Sequence, residues 1–317
     1  MNPTVLLIDS MHPAFQQELE AGGVTTVEGF SWSKEKVLDE IGKYNGIAIR
    51  SRFRIDENFI SHATQLKCIG RAGAGMENID VRAAAKAGIH CLNAPEGNRD
   101  AVAEHALGML LMGMNHLLRA DAEVRKGIWR REENRGTELR GKTIGIIGFG
   151  NMGAAFAQRL QGFGMTILAY DPYIKIDAEQ YPFVKQSPEE QIFIESDIIS
   201  LHVPLTDETK YLVNDSWIKK FRKNIYLINT ARGKNIDTTA LVKGLKSGKI
   251  TGAALDVLEY EALSFEHIDP NQLPEAFHYL IQSENVVLSP HIAGWTHESN
   301  IKIAQTLAFK MLEVLKA

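Results

Sequence analysis

KTIGIIGFGNMGAAFAQRLQGFGMTILAYD, residues 142–171, is the stretch from which the rest of the chain is read. An apolar strand over 143–147 runs into a glycine turn at Gly148, Gly150 and Gly153. A helix follows from Asn151 to about Gly162, and a second strand, 166–170, ends in Asp171. Such a turn suits a pyrophosphate, which lies against backbone N–H groups at a helix N-terminus, where unpaired donors and the helix dipole favour negative charge. Gly148 allows the tight turn, Gly150 lets the backbone approach the phosphates, and Gly153 lets the helix pack closely on the strand. Asp171 falls 23 residues after Gly148, at a strand end where a carboxylate accepts hydrogen bonds from a ribose diol. A 2′-phosphate there would meet like charge, and Asp171-Pro172-Tyr173 offers no arginine, so the expected cofactor is NAD rather than NADP. Alone, three glycines describe an ordinary turn; strand, turn, helix, strand and acid in order describe a dinucleotide-binding unit.

Upstream, residues 4–95 alternate short β-rich runs (TVLLID, VTTVEG, GIAIR, KCIG, IHCLNAP) with amphipathic stretches such as HPAFQQELEAGG, SKEKVLDEIGKY and a helix near 81–87. Strands alternating with helical patterns imply a parallel, doubly wound sheet. From about 98 to 126 runs a long helical pattern, apolar on more than one face in AVAEHALGMLLMGMNHLL, which is expected to open the cofactor domain and help form a dimer interface; burial within one subunit is the alternative. Downstream come strands at 197–204, 224–233, 251–257 and 285–291 and a helix from 237 to about 247, then a final amphipathic helix, 298–315, that returns to the first domain. The expected fold is α/β: two doubly wound parallel-sheet domains, a flavodoxin-like substrate domain (1–96 with 292–317) and a Rossmann NAD-binding domain (97–291). The ligand is expected in a cleft between them, with crossovers near 93–95 and 289–290.

A length of 317 residues supports two cores. A net charge of −4 with no polybasic run gives no footprint for nucleic acid or an anionic membrane, and neither is expected as a partner. The start, MNPTVLLIDSMHP, lacks a basic n-region and a spanning apolar run, so neither signal peptide nor anchor is expected and the protein is read as cytoplasmic. Cys68 and Cys91 end apolar segments with no Cys or His at metal spacing; they read as buried thiols in a reducing compartment, and no metal is expected.

Three strand ends on the cofactor side carry groups with complementary chemistry: Arg232 in NTARG, Glu261 in DVLEYE and His291 in SPHIAGW. Removing hydride from a 2-hydroxy acid requires a base for the hydroxyl proton and a cation for the carboxylate and carbonyl oxygen. Histidine suits the base, a neighbouring carboxylate orients it and stabilises imidazolium, and arginine offers a planar fork for a carboxylate. Singly, each has a plainer reading as a surface ion pair or a structural histidine.

NTARG, DVLEYE and PHIAGWT, downstream of GFGNMG, resemble the signature segments of the D-isomer-specific 2-hydroxyacid dehydrogenases. The similarity extends over GRAGAGMENID (70–80) and NAPEGNRDAVAEHALGMLL (93–111) and so over essentially the whole chain. The resemblance implies an NAD-dependent oxidoreductase in which Arg232 binds and polarises substrate, Glu261 hydrogen-bonds His291, and His291 is the acid/base. It also implies that Asp256 holds the nicotinamide carboxamide and that Asn151 and Met152 lie under the pyrophosphate. Val203, Pro204, Thr230, Ala231, Ala293 and Gly294 would line the cofactor site, and the amides of Ala74 and Gly75 would receive the substrate carboxylate. Closure of the domains would exclude water.

Within the family the similarity is greatest to members that act on a phosphorylated hydroxy acid, whose phosphate-binding arginines fall here on Arg50 in IRSR, Arg71 in GRAG and Arg131 in WRREENRGTEL, the last reaching across a homodimer. A dianionic phosphate calls for such a cluster, since guanidinium groups bind it bidentately. Arg131, among Arg130, Glu132, Glu133 and Arg135, reads equally as part of a solvated charged face. Leu258 and Ala262 stand where the family commonly has Phe and Pro. The segment after Glu261 is longer than expected, with PEAFHYLI (274–281) reading as an added helix. The C-terminal regulatory domain of some relatives, and feedback through it, is not expected. Trp295 either closes over substrate or packs. Two other readings stand beside this one: a reductase of hydroxypyruvate or glyoxylate, which needs no phosphate cluster, and an NAD-sensing, corepressor-like binding protein without turnover.

Overall fold

The computed structural model describes residues 2–261 and 273–317. The chain forms two compact units, Met1–Arg99 with Trp295–Ala317, and Asp100–Gly294.

The first unit is a five-stranded sheet of β1 (Thr4–Leu7), β2 (Thr25–Glu28), β3 (Gly46–Ile49), β4 (Cys68–Arg71) and β5 (His90–Asn93), in the order β2-β1-β3-β4-β5. Every pairing is parallel. Burial explains the composition of the strands: β3, GIAI, is buried at all four positions, whereas the edge strand β2, TTVE, is partly exposed throughout. One face of the sheet packs Leu6, Ile47, Ile49 and Ile69 against the flanking helices. The other packs Val5, Leu7 and Cys68 against Leu307, Ala308 and Met311 of the C-terminal helix His297–Lys316. Gly70 is small because the sulfur of Met311 occupies the space a Cβ would need.

The second unit is a seven-stranded parallel sheet of β6 (Thr143–Ile147), β7 (Thr166–Tyr170), β8 (Val184–Gln186), β9 (Ile198–Leu201), β10 (Ile225–Asn229), β11 (Ile250–Leu255) and β12 (Val286–Leu288), in the order β12-β11-β10-β9-β6-β7-β8. Strand β6 has β7 on one side and β9 on the other, so the strand order reverses at the glycine turn that follows it. Ligands of doubly wound sheets sit at such a reversal, beyond the carboxyl ends of the strands. The sheets therefore have the two doubly wound orders expected.

The apolar pattern over 98–126 is not one helix. It divides into Pro95–Met114 and Leu117–Val124, with His116 between them in the left-handed region at φ 52°. Asn115 caps the first helix by donating from Nδ2 to Leu111 O at 3.0 Å. Pattern reading missed the break because the apolar positions continue across it. Strand β8, with its polar side chains, and the short helices Glu189–Glu195 and Asp215–Lys220 also carry too few residues for a visible period. A helix does form at Glu275–Gln282; Ala262 and the rest of 262–272 lie outside the described residues. No described helix is long and apolar enough to cross a membrane.

Candidate active site

The turn after β6 is built as its glycines suggest. Gly148 has φ 89°, and a Cβ there would stand 2.6 Å from the carbonyl oxygen of His202. A Cβ at Gly153 would collide with the carbonyl oxygen of Gly148, so the helix Asn151–Arg159 can start this close to the turn only with glycine at its third residue. Gly150 differs: it caps that helix, and a Cβ on it would meet nothing within 4 Å. That open face leads to the first amides of the helix, Asn151 and Met152, which have no intrahelical acceptor. Asp171, at the end of β7, accepts from Phe149 N at 2.8 Å through Oδ2, and from Tyr173 N at 2.9 Å and Ile174 N at 3.0 Å through Oδ1. Its carboxylate is thus fixed beside the turn. Beyond β10, Thr230 is buried and its Oγ1 has no partner among the described residues, next to the buried Ala231. A cleared approach to helix amides, a fixed acid and an orphaned hydroxyl together suit a dinucleotide. Val203 and Pro204, at the end of β9, are partly and largely exposed, respectively.

The strand ends β10, β11 and β12 bring the titratable groups together. After β10, Asn229 accepts from Ala231 N and donates to Arg232 O, and Asn235 Oδ1 accepts from Arg232 N at 3.1 Å, which shapes the loop carrying Arg232. Arg232 Nη1 donates to Ala231 O at 2.6 Å. Gly233 is pressed against the Leu258 carbonyl, where any Cβ would overlap it, so the Arg232 loop and the loop after β11 touch backbone to backbone. That second loop carries Glu261, whose Oε1 accepts from Leu258 N at 2.5 Å. Glu261 Oε2 lies 2.8 Å from His291 Nδ1, and both side chains are largely buried. Asp256 is 1% exposed. Burial would raise its carboxyl pKa, but bonds from His105, Ser289, Ala293 N and Ile292 N outweigh that and hold it below the usual carboxylate value. Ala293 is buried and Gly294 partly so.

In the first unit, the loop after β4 carries Arg71, Ala74 and Gly75. Asn93, ending β5, donates to Ala74 O at 2.5 Å and so pins this loop. The amides of Ala74 and Gly75 donate to no acceptor among the described residues. Arg71 Nη1 donates to Ala72 O at 3.5 Å and fills the place of a Cβ on Gly73, which has φ 142°. Arg50 N donates to Asp9 Oδ2 at 2.6 Å, and its guanidinium stacks on the exposed Trp295 ring, 4.6 Å from the centroid. Around Arg131 the charges pair with one another: Arg130 with Glu123 and Arg135 with Glu132. Arg131 itself is exposed and makes no hydrogen bond or ion pair among the described residues.

Sequence reasoning did not identify the polar residues that hold these loops: Asp9, Asn93, His105, Asn235 and Ser289. Only His105 left a signal, an ionisable side chain at the start of the apolar run HALGMLLMGM.

Turn, acid, orphaned hydroxyl and histidine–carboxylate pair define a dinucleotide-binding protein of the doubly wound class. Residues 107–293, more than half of the chain, match the family described as D-isomer specific 2-hydroxyacid dehydrogenase, NAD binding domain. The chain belongs to the D-isomer specific 2-hydroxyacid dehydrogenase family, and NAD is its cofactor. D-3-phosphoglycerate dehydrogenase of Archaeoglobus fulgidus is 37% identical over 284 residues, 90% of this chain and 52% of that protein. Glyoxylate reductase of Thermofilum pendens is 39% identical over 311 residues, 96% of this chain and 88% of that protein. The crystal structure of D-lactate dehydrogenase from Aquifex aeolicus, complexed with NAD and lactic acid, superposes with a TM-score of 0.80 at 29% identity, covering 99% of this chain and 94% of that one. The chain spans about half the length of the phosphoglycerate dehydrogenases it matches.

Proposed function

We propose that this protein is an NAD-dependent D-2-hydroxyacid dehydrogenase that oxidises 3-phospho-D-glycerate to 3-phosphooxypyruvate, a step toward serine, as a cytoplasmic homodimer. The observation that carries the dehydrogenase reading is the 2.8 Å contact of His291 Nδ1 with Glu261, on a loop whose neighbour holds Arg232. With Nδ1 committed to the carboxylate, Nε2 is the nitrogen that takes the C2 hydroxyl proton, and Glu261 stabilises the imidazolium that results. Arg232 binds substrate and polarises the C2 oxygen, and the family resemblance assigns recognition of the carboxylate to the amides of Ala74 and Gly75 as well. Asn151, Met152, Gly150 and Asp171 would hold the pyrophosphate and ribose of NAD, with Val203, Pro204, Thr230, Ala231, Asp256, Ala293 and Gly294 around the rest. NAD, when bound, supplies the acceptor for the hydride leaving C2.

The phosphate reading is supported by Arg50, held flat against Trp295, and by Arg71 on the loop after β4; the role of Arg131 across a dimer is part of the proposal. Exposed Leu117, Leu118, Val124 and Trp129 support a dimer through 98–131, and two free thiols fit a reducing compartment. In this reading 1–96 with 292–317 serve the substrate and 97–291 the cofactor. A second reading, an unphosphorylated substrate such as glyoxylate or hydroxypyruvate, is favoured by the similarity to glyoxylate reductase over 88% of that enzyme.

A panel of hydroxy and keto acids followed by NADH absorbance separates the two. Turnover of 3-phosphoglycerate well above glycerate is expected, and Arg50→Ala should lower kcat/KM on the phosphorylated acid alone, by roughly 10- to 100-fold, the scale of one charge-assisted hydrogen bond or two. Preference for glyoxylate with Arg50→Ala silent would select the second reading. NADH binding without turnover on any acid would leave an NAD-sensing binding protein.

A further inference from the structure

We propose that His105 is a positioning residue: acting through Ser289, it fixes the backbone of residues 291–293 and thereby the placement of His291. The kinetic part rests on the dehydrogenase reading above; the structural part does not.

His291 sits at φ 55°, in the left-handed region that non-glycine residues rarely adopt. Such a conformation persists only where its surroundings over-determine it, and here, beside the contact of its ring with Glu261, much of that hold comes from Asp256. Asp256 receives three successive amides of the loop: His291 N on its carbonyl at 2.7 Å, Ile292 N on Oδ1 at 2.9 Å and Ala293 N on Oδ2 at 2.8 Å. The first of these ends on main chain; the other two end on the Asp256 carboxylate, so the backbone that follows His291 is held as firmly as that side chain is held.

That side chain is buried, and an ionised carboxylate out of water needs further partners. Ser289 Oγ lies 2.5 Å from Asp256 Oδ1, and His105 Nε2 lies 2.9 Å from Ser289 Oγ and 3.5 Å from Asp256 Oδ1. Counting protons fixes the direction of the chain. An ionised Asp256 only accepts, so the single hydroxyl proton of Ser289 goes to it. The hydroxyl oxygen is then an acceptor, and His105 must carry its proton on Nε2. The other group against Ser289 Oγ is Met109 Sδ at 3.6 Å, which cannot donate. His105 is thus the donor that keeps the Ser289 proton pointed at Asp256. It does so from the helix Pro95–Met114, 184 residues away in sequence. Without the imidazole the hydroxyl has no donor to orient it, the carboxylate loses a partner, and a strained loop loses part of what holds it.

The full chain carrying His105→Ala, His105→Gln, Ser289→Ala or His105→Ala with Ser289→Ala tests this in two ways. By hydrogen exchange without added cofactor, the amides of 291–293 should lose protection in both alanine variants while those of β9 and β10 keep theirs. Glutamine, whose side-chain N–H falls near the place of Nε2–H, should restore it. In steady state His105→Ala should lower kcat about tenfold with KM for the hydroxy acid little changed, the signature of misplaced chemistry rather than lost binding. The double variant should be no worse than Ser289→Ala, because both act on one chain of bonds. Unchanged protection at 291–293, protection lost evenly across the sheet, His105→Gln as impaired as alanine, or losses that multiply in the double variant would each overturn the proposal. A wild-type protein inert toward every hydroxy acid would instead defeat the dehydrogenase reading, and the exchange data would still decide the role of His105.

Discussion

Two glycine-rich loops, GFGNMG after β6 and GRAGAG after β4, look alike in sequence and are backed differently. The first runs directly into the nine-residue helix Asn151–Arg159, so its amides are backed by a helix dipole. The second reaches no helix until Val81; it presents the amides of Ala74 and Gly75 without a dipole and has Arg71 within the loop and Arg50 on the neighbouring strand end. Each is pinned from an adjacent strand end: Asp171 accepts from Phe149 N in the first, Asn93 donates to Ala74 O in the second. The contrast teaches that glycine spacing states only where backbone is bare. What stands behind the backbone, a helix or arginines, decides which anion it suits, a diffuse pyrophosphate or a small carboxylate with a second charged group.

The comparison has consequences that can be broken. The largest expected effect is at the chemistry itself: His291→Ala should slow turnover roughly 10²-fold or more while NADH binding, which depends on the first loop, stays within error; lost NADH binding would show that the histidine serves the cofactor instead. Next, Gly150→Val places a side chain on the open face of the first loop, where φ −76° tolerates it. NADH affinity should fall by about tenfold or more with the thermal midpoint preserved, and calorimetric titration would expose the contrary. Gly153→Ala tests packing rather than the ligand: its Cβ overlaps the Gly148 carbonyl, and urea unfolding should show a loss of about 1–3 kcal/mol. Smaller is Asn93→Ala in the second loop, which should raise KM for the acid by about two- to tenfold, the range of one neutral hydrogen bond, and leave NADH binding alone.

Asp256 adds a pH test of the frame around His291. Its folded pKa lies below its unfolded one, near 3.9, so the unfolded state binds the proton more readily. Its contribution to stability is present in full above about pH 4 to 5 and declines as pH falls through the unfolded and then the folded value. The difference in unfolding free energy between wild type and Asp256→Asn should therefore be largest near neutrality and shrink by pH 3. A difference that grew on acidification would reverse the assignment.

Local rules made much of this molecule legible. β6, the turn, the following helix and β7 are contiguous, within about 30 residues, so periodicity and turn chemistry suffice to read them, although Gly148 also answers to the more distant carbonyl of His202. The segments carrying Arg232, Glu261 and His291 were visible for the same reason: each lies just past an apolar strand. The break at His116 was not legible, because apolar positions continue on both sides of it and the left-handed residue is a histidine, which composition does not single out.

By itself the sequence determined two doubly wound sheets, the place of the dinucleotide turn and the identity of the titratable strand ends, since these follow from hydrophobic period and from residues that only glycine can replace. Tertiary structure alone decided which polar side chains hold those ends in place: His105 with Ser289 and Asp256, Asn235 with Arg232, Arg50 with Trp295. Apart from Asn235 and Arg232, which are three residues apart, these partners lie far apart along the chain. A hydrogen bond between distant buried groups has no period and no composition, and exists only once the sheet has brought its strand ends to one edge.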